Sequence, residues 1–172
     1  NNTVTSCESA LTLACENGHT NIVEELIHNG CADIDCADPE KGFTPLMKSA
    51  RNGHLSTLKF MLNFAAQNNI ILDINRTNLN NECTALSLAC QNGHHEIVDL
   101  LLQHGANPFQ KLKDNVNCLI EASKGGHTKI VESLINWNQA LNHQQQEQFE
   151  KNSKNEIKVK HLKLLDLFNF NI

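Results

Sequence analysis

The dipeptide Gly-His occurs four times, at Gly18-His19, Gly53-His54, Gly93-His94 and Gly126-His127, each time in the same frame. A leucine stands seven residues before every one of these glycines: Leu11, Leu46, Leu86 and Leu119. The copies are separated by 35, 40 and 33 residues. A unit repeated at this spacing cannot bury its apolar face alone and gains a core only by stacking on its neighbours. The chain is therefore expected to carry function on the surface of a stack rather than in one catalytic cleft.

Aligned on the leucine, the units open with Ser9-Ala10-Leu11-Thr12-Leu13-Ala14-Cys15, Thr44-Pro45-Leu46-Met47-Lys48-Ser49-Ala50, Thr84-Ala85-Leu86-Ser87-Leu88-Ala89-Cys90 and Asn117-Cys118-Leu119-Ile120-Glu121-Ala122-Ser123. Ser9, Thr44, Thr84 and Asn117 are suited to bond the free N–H groups of a first helical turn. Pro45 suits the first helical position, where its missing donor has no partner to lose. The small pair near the middle of each string lets two helices approach closely, and the glycine that follows accepts the left-handed conformation that ends a helix. A second helix follows each histidine, with apolar residues three and four apart: Ile22, Val23, Leu26 and Ile27; Leu58, Met61 and Leu62; Ile97, Val98, Leu101 and Leu102; Ile130, Val131, Leu134 and Ile135. Leu46, Leu86, Ile97, Val98, Leu101 and Leu102 are the expected inter-unit core. Leu11 and Leu13, in the first unit, are expected to have no preceding unit to cover them.

A period near 33 residues, read as turn, helix, turn, helix, is the ankyrin period. The expected fold is an all-α ankyrin-repeat solenoid, paired antiparallel helices joined by hairpin loops. The expected partition is four repeats at about 4–38, 39–78, 79–111 and 112–138, with a polar Gln/Asn-rich tail at 139–172 and a short helix within Ile157 to Phe168. The pattern stops after Trp137, and Asn138 to Asn155 reads as disordered or weakly helical linker. The stretch Asn63 to Leu72 lacks the usual Gly-Ala and supplies a turn or two of extra helix or loop.

The strings Ala14-Cys15-Glu16-Asn17-Gly18-His19-Thr20, Gly42-Phe43-Thr44-Pro45-Leu46-Met47-Lys48-Ser49-Ala50, Ser87-Leu88-Ala89-Cys90-Gln91-Asn92-Gly93-His94 and Leu119-Ile120-Glu121-Ala122-Ser123-Lys124-Gly125-Gly126-His127-Thr128 resemble, in that order, the last repeats of the first ankyrin array of the MASK family (multiple ankyrin repeats, single KH domain). The resemblance implies a large scaffold of the cytoplasm and also the nucleus, a cofactor in receptor tyrosine kinase signalling and of the Yorkie-type co-activator of the Hippo pathway. The insertion at Asn63 to Leu72 departs from that family's pattern. An alternative reading is an RNA-associated regulatory protein in which this segment only positions a distant KH domain.

Composition narrows the chemistry. With 40% apolar residues the chain of 172 can bury a core, and its net charge of −5 argues against a grip on phosphate backbones. No apolar run reaches membrane-spanning length and no secretory leader is seen. Because the first residue is Asn1, the chain is expected to be a monomeric fragment of a longer protein. Seven cysteines are present, and Cys15 and Cys90 share a slot with Ala50 and Ser123, which marks a small buried residue of a reduced, intracellular chain rather than a disulfide.

Cys15 with His19, and Cys90 with His94, have a spacing that could chelate zinc on one helix. Here a helix end and a glycine intervene, so the histidines are read as bonding backbone near their own turns. No cofactor, metal or catalytic group is expected: Lys124-Gly125-Gly126 lacks the frame of a phosphate-cradling loop. The expected site is a protein-binding groove on the concave surface, formed by hairpin tips and first helices: Glu40, Lys41, Phe43, Arg51, Asn52, Asn80, Asn81, Gln91, Asn92, Lys113, Asp114 and Lys124. Positions in the same slots include Thr5, Ser6, Glu8, Glu16, Asn17, Cys83 and Val116. Phe43 beside Arg51 is the expected anchor, because aromatic residues and arginine dominate binding hot spots.

Overall fold

The computed structural model describes residues 10–143 and 146–147. Eight helices occur among them: α1 (residues 10–16), α2 (Thr20–His28), α3 (Pro45–Arg51), α4 (Leu55–Gln67), α5 (Ala85–Asn92), α6 (His95–Gln103), α7 (Cys118–Lys124) and α8 (residues 128–143). A 3-10 turn at Lys113–Asn115 precedes α7. The chain divides into two compact units, Asn1–Ser133 and Leu134–Ile172, with the division inside α8. In the second unit, residues 134–143 and 146–147 are helical. The helix thus runs past Trp137, where the repeat pattern ends. The Ser9 cap, the Ile157 to Phe168 helix and the groove positions Thr5, Ser6 and Glu8 lie outside the described residues.

Within the first unit the helices alternate between two layers. The short helices α3, α5 and α7 pack in succession, as do the longer helices α2, α4 and α6. The starts of the short helices follow from their caps. Thr44 Oγ1 accepts the Met47 N–H at 3.2 Å with Pro45 in the first turn. Thr84 and Ser87 form a reciprocal capping box: Ser87 N–H donates to Thr84 Oγ1 at 3.1 Å and Thr84 N–H to Ser87 Oγ at 2.9 Å. Asn117 Oδ1 accepts the Ile120 N–H at 3.0 Å. The ends follow from the glycines. Gly18, Gly53, Gly93 and Gly126 are left-handed, and the N–H of the next residue, each time a histidine, bonds a carbonyl five residues back: Ala14, Ser49, Ala89 and Ala122.

The core is the one the register predicts. Leu46, Leu86, Ile97, Val98, Leu101 and Leu102 are buried, as are Cys15, Ser49, Ala50, Ala89 and Cys90 between the short helices. Leu11 corrects the expectation of an open first unit: it is 0% exposed, whereas Leu13 is 57% exposed. Leu11 occupies the slot of Leu46 and Leu86, which faces the core, and Leu13 lies two positions on, where the helix has turned away. In the last of the four short helices, Cys118 and Ala122 are buried while Leu119, Ile120 and Ser123 are exposed, so the slot that Leu46 and Leu86 fill is open at Leu119. Ile22 and Ile135, placed by periodicity on apolar faces, are exposed as well.

The insertion is helix from Asn63 to Gln67 and non-helical from there to Leu72. α4 has 13 residues where α2 and α6 have 9, about one added turn. The lengthened helix carries Phe60 and Phe64, whose rings meet the His28 ring at centroid distances of 5.8 and 5.1 Å.

Candidate protein-binding groove

Each histidine of the Gly-His pairs occupies the cap position of the helix that follows, but none of His19, His54 and His94 makes a side-chain cap bond. The rings of His54, His94 and His127 serve the junction between units instead. His54 Nε2 lies 2.9 Å from the Glu16 carbonyl, His94 Nε2 3.0 Å from that of Arg51, and His127 Nε2 3.1 Å from that of Gln91. A carbonyl can only accept, so these Nε2 atoms carry the proton and donate. The reading of the histidines as fixers of their own turns is corrected here for these three: each ties down the end of the preceding short helix. The rings also rest on the preceding glycines. A Cβ on Gly18, Gly53 or Gly93 would come within 2.4, 2.6 or 2.6 Å of the rings of His54, His94 or His127.

The hairpins interlock in the same way. Leu79 N–H donates to the Lys41 carbonyl at 3.0 Å, Arg76 Nη1 to the Asp35 carbonyl at 3.1 Å, and Asn107 N–H to Asn75 Oδ1 at 2.8 Å. Arg76 also approaches the Asp35 carboxylate at 3.5 Å. Burial raises the Asp35 pKa, against the opposing pull of Arg76, and its Oδ1 is buried without a hydrogen-bond partner. Both contact sets hold successive units in fixed register, which fixes the spacing of whatever side chains line the side formed by hairpins and short helices.

There the structure forms a cavity of about 560 Å³. Eight of the twelve expected residues line it: Phe43, Arg51, Asn81, Gln91, Asn92, Lys113, Asp114 and Lys124. Glu40, Lys41, Asn52 and Asn80 do not. Glu40, Lys41 and Asn80 are exposed at hairpin tips, and Asn52 spends its amide on the Glu16 carbonyl at 2.8 Å. Asn92 likewise donates to its own helix, to the Leu88 carbonyl at 2.8 Å. Cys83 and Val116 also line the cavity, together with Asn78, Ser87, Leu88, Leu112 and Glu121, which the sequence reading missed. Leu88 and Glu121 stand two residues after the aligned leucines, the slot of Lys48, so the repeat frame itself held the signal.

Phe43 requires a correction. It is 9% exposed, not an open anchor. Lys48 Nζ and Arg51 Cζ lie 5.2 and 5.9 Å from its ring centroid and cover it. The accessible group is therefore the Arg51 guanidinium, seated on an aromatic face. Along the same side Lys48 pairs with Glu16 at 3.0 Å, and Lys124 pairs with Glu121 at 3.1 Å. Cys83 is a lining thiol whose pKa burial raises.

The two thiols and His94 of the thiol–histidine pairs have structural explanations of their own. Cys15 is fully buried against Met61, Sγ to Sδ 3.8 Å, and burial pushes its thiol up to about 12. The Cys90 thiol is raised first by its hydrogen bond with Cys118 and then by burial. The ring of His94 is directed at the Arg51 carbonyl. Among the described residues no helix is long and apolar enough to cross a membrane.

Comparison with known proteins agrees with this architecture. The family model "Ankyrin repeats (3 copies)" matches residues 1–71 and 62–145. The chain is 40% identical over 126 residues to the ankyrin repeat and KH domain-containing protein mask-1 of Caenorhabditis elegans, covering 73% of the chain and 4% of that protein. It is 47% identical over 190 residues to the ankyrin repeat and KH domain-containing protein 1 of Homo sapiens, covering 76% of the chain and 7% of that protein. A third match, 49% over 55 residues, is to the mask protein of Drosophila melanogaster, covering 32% of the chain and 1% of that protein. The chain spans less than a tenth of the length of these relatives. With the family model matched along most of its length, the chain belongs to the ankyrin-repeat family.

Proposed function

We propose that this chain is a non-catalytic protein-interaction module, one ankyrin segment of a large intracellular scaffold, and that it captures partner proteins in the groove between Arg51 and Lys124. The observation that carries the reading is the convergence of side chains from three successive units on one cavity of about 560 Å³. A stack in fixed register holds those side chains in place before a partner arrives, so little ordering entropy opposes docking. The relatives named for ankyrin repeats and a KH domain support the scaffold part of the reading. A role beside receptor tyrosine kinases and a Yorkie-type co-activator, in cytoplasm and nucleus, follows from that kinship alone and belongs to the proposal. So does the partition into repeats at 4–38, 39–78, 79–111 and 112–138.

The test is affinity capture from cell extract with the full chain as bait, repeated with Arg51→Ala combined with Lys113→Ala. Proteins retained by the parent and lost by the double variant, while melting temperature stays unchanged, support the groove. Equal retention by both baits contradicts it. Ribonuclease treatment of the extract separates direct capture from capture through RNA.

A further inference from the structure

Resting on the groove reading, we propose that the cavity takes an extended acidic peptide, one carboxylate of which meets Arg51 and another Lys113, while an adjoining aliphatic side chain lies against Val116. The chain carries a net charge of −5, yet the cavity lining inverts that sign: Arg51, Lys113 and Lys124 face Asp114 and Glu121. Glu121 is already matched by Lys124 at 3.1 Å. Neither Arg51 nor Lys113 has an ion-pair partner among the described residues, against one unpaired acid, Asp114. The unmet charge of the cavity is therefore positive.

Arg51 is prepared for a carboxylate in particular. Its guanidinium sits 5.9 Å from the Phe43 ring centroid, so its position is set before binding. A planar fork of donors held on an aromatic face matches the two oxygens of one carboxylate, which a lysine in the same place cannot do. Val116 is partly exposed in the same lining and offers apolar area to the neighbouring residue. Two unpaired cations are too few for a nucleic-acid backbone, which binds through rows of phosphate contacts.

The experiment selects short random peptides displayed on phage against the full chain, then measures synthetic winners by fluorescence anisotropy. The expected winners carry Asp or Glu beside Leu, Ile or Val. They lose about tenfold or more in affinity on the chain with Arg51→Ala and Lys113→Ala, keep it on Lys59→Ala in α4, and bind more weakly as salt is raised. Winners without acidic enrichment that are still blocked by Val116→Trp overturn the acidic assignment and leave the groove reading standing. Winners indifferent to all of these substitutions, or no winners above an unrelated bait, overturn both. A preference for phosphoserine in place of the carboxylate residue overturns the carboxylate assignment.

Discussion

The imidazole of His94 lies on the α-carbon of Gly53, forty-one residues earlier, and its Nε2 is 3.0 Å from the carbonyl of Arg51. The Gly-His dipeptide is thus not a local motif. The glycine of one unit is the seat for the histidine of the next, and the same relation joins Gly18 to His54 and Gly93 to His127. The residue held by His94, Arg51, is also the residue whose guanidinium lines the groove, so the junction that stabilises the stack positions the candidate site.

That relation predicts a coupled pair. Gly53→Ala places a Cβ 2.6 Å from the His94 ring at a φ of +79° and should cost about 1–3 kcal/mol. His94→Ala removes a bond to a carbonyl and should cost about 1–2 kcal/mol. In the double variant the clash has gone with the ring, so the combined loss measured by urea denaturation should fall short of the sum of the two. Strict additivity would mean that the ring does not rest on Gly53.

Leu86 is 1% exposed in the helix that packs between α3 and α7. Leu86→Ala should lower stability by about 2–5 kcal/mol through lost burial and an unfilled cavity. A denaturation midpoint equal to the parent's would show the repeat frame to be misaligned.

Glu82 occupies the hairpin slot that Gly42 fills one unit earlier, and it is left-handed at φ 55°. Its side chain is exposed and gains nothing visible there. Glu82→Gly should therefore stabilise the chain by about 1 kcal/mol, read as a rise in melting temperature. A fall would reveal a contact of the carboxylate that offsets the backbone cost.

Cys15 supplies a pH dependence. Burial raises its thiol from the ordinary 9.0 to about 12, so its contribution to stability is complete below 9.0 and is lost as pH rises from there through about 12. Cys15→Ala should accordingly lose less stability than the parent when denaturation is compared at neutral pH and above pH 9.0. In the native chain at neutral pH a thiol reagent should modify exposed Cys31 quickly and reach Cys15 only on unfolding.

Most of the stack was legible because its rules are local. The caps at Thr44, Thr84 and Asn117, the left-handed glycines and the buried register of Leu46 and Leu86 each follow from a few neighbouring residues. What the sequence concealed depends on the neighbouring unit. The histidine rings look like cap residues until the preceding carbonyl is in place. Phe43 looks like an anchor until Lys48 and Arg51 fold over it. Asn52 looks like a groove residue until its amide is spent on the Glu16 carbonyl. The groove was recovered in outline because hairpin and short-helix slots recur, and it was incomplete because Leu88 and Glu121 were read only as helix interior.

Site-directed photocrosslinking tests the central claim most directly. A photoreactive amino acid is placed at Lys113 in the groove or at Lys59 on α4, and the full chain is irradiated with its captured partners or selected peptide. The account predicts covalent adducts from the Lys113 position, suppressed by Arg51→Ala, and none from the Lys59 position. Adducts from Lys59 alone would contradict it and move the binding surface to the outer helices.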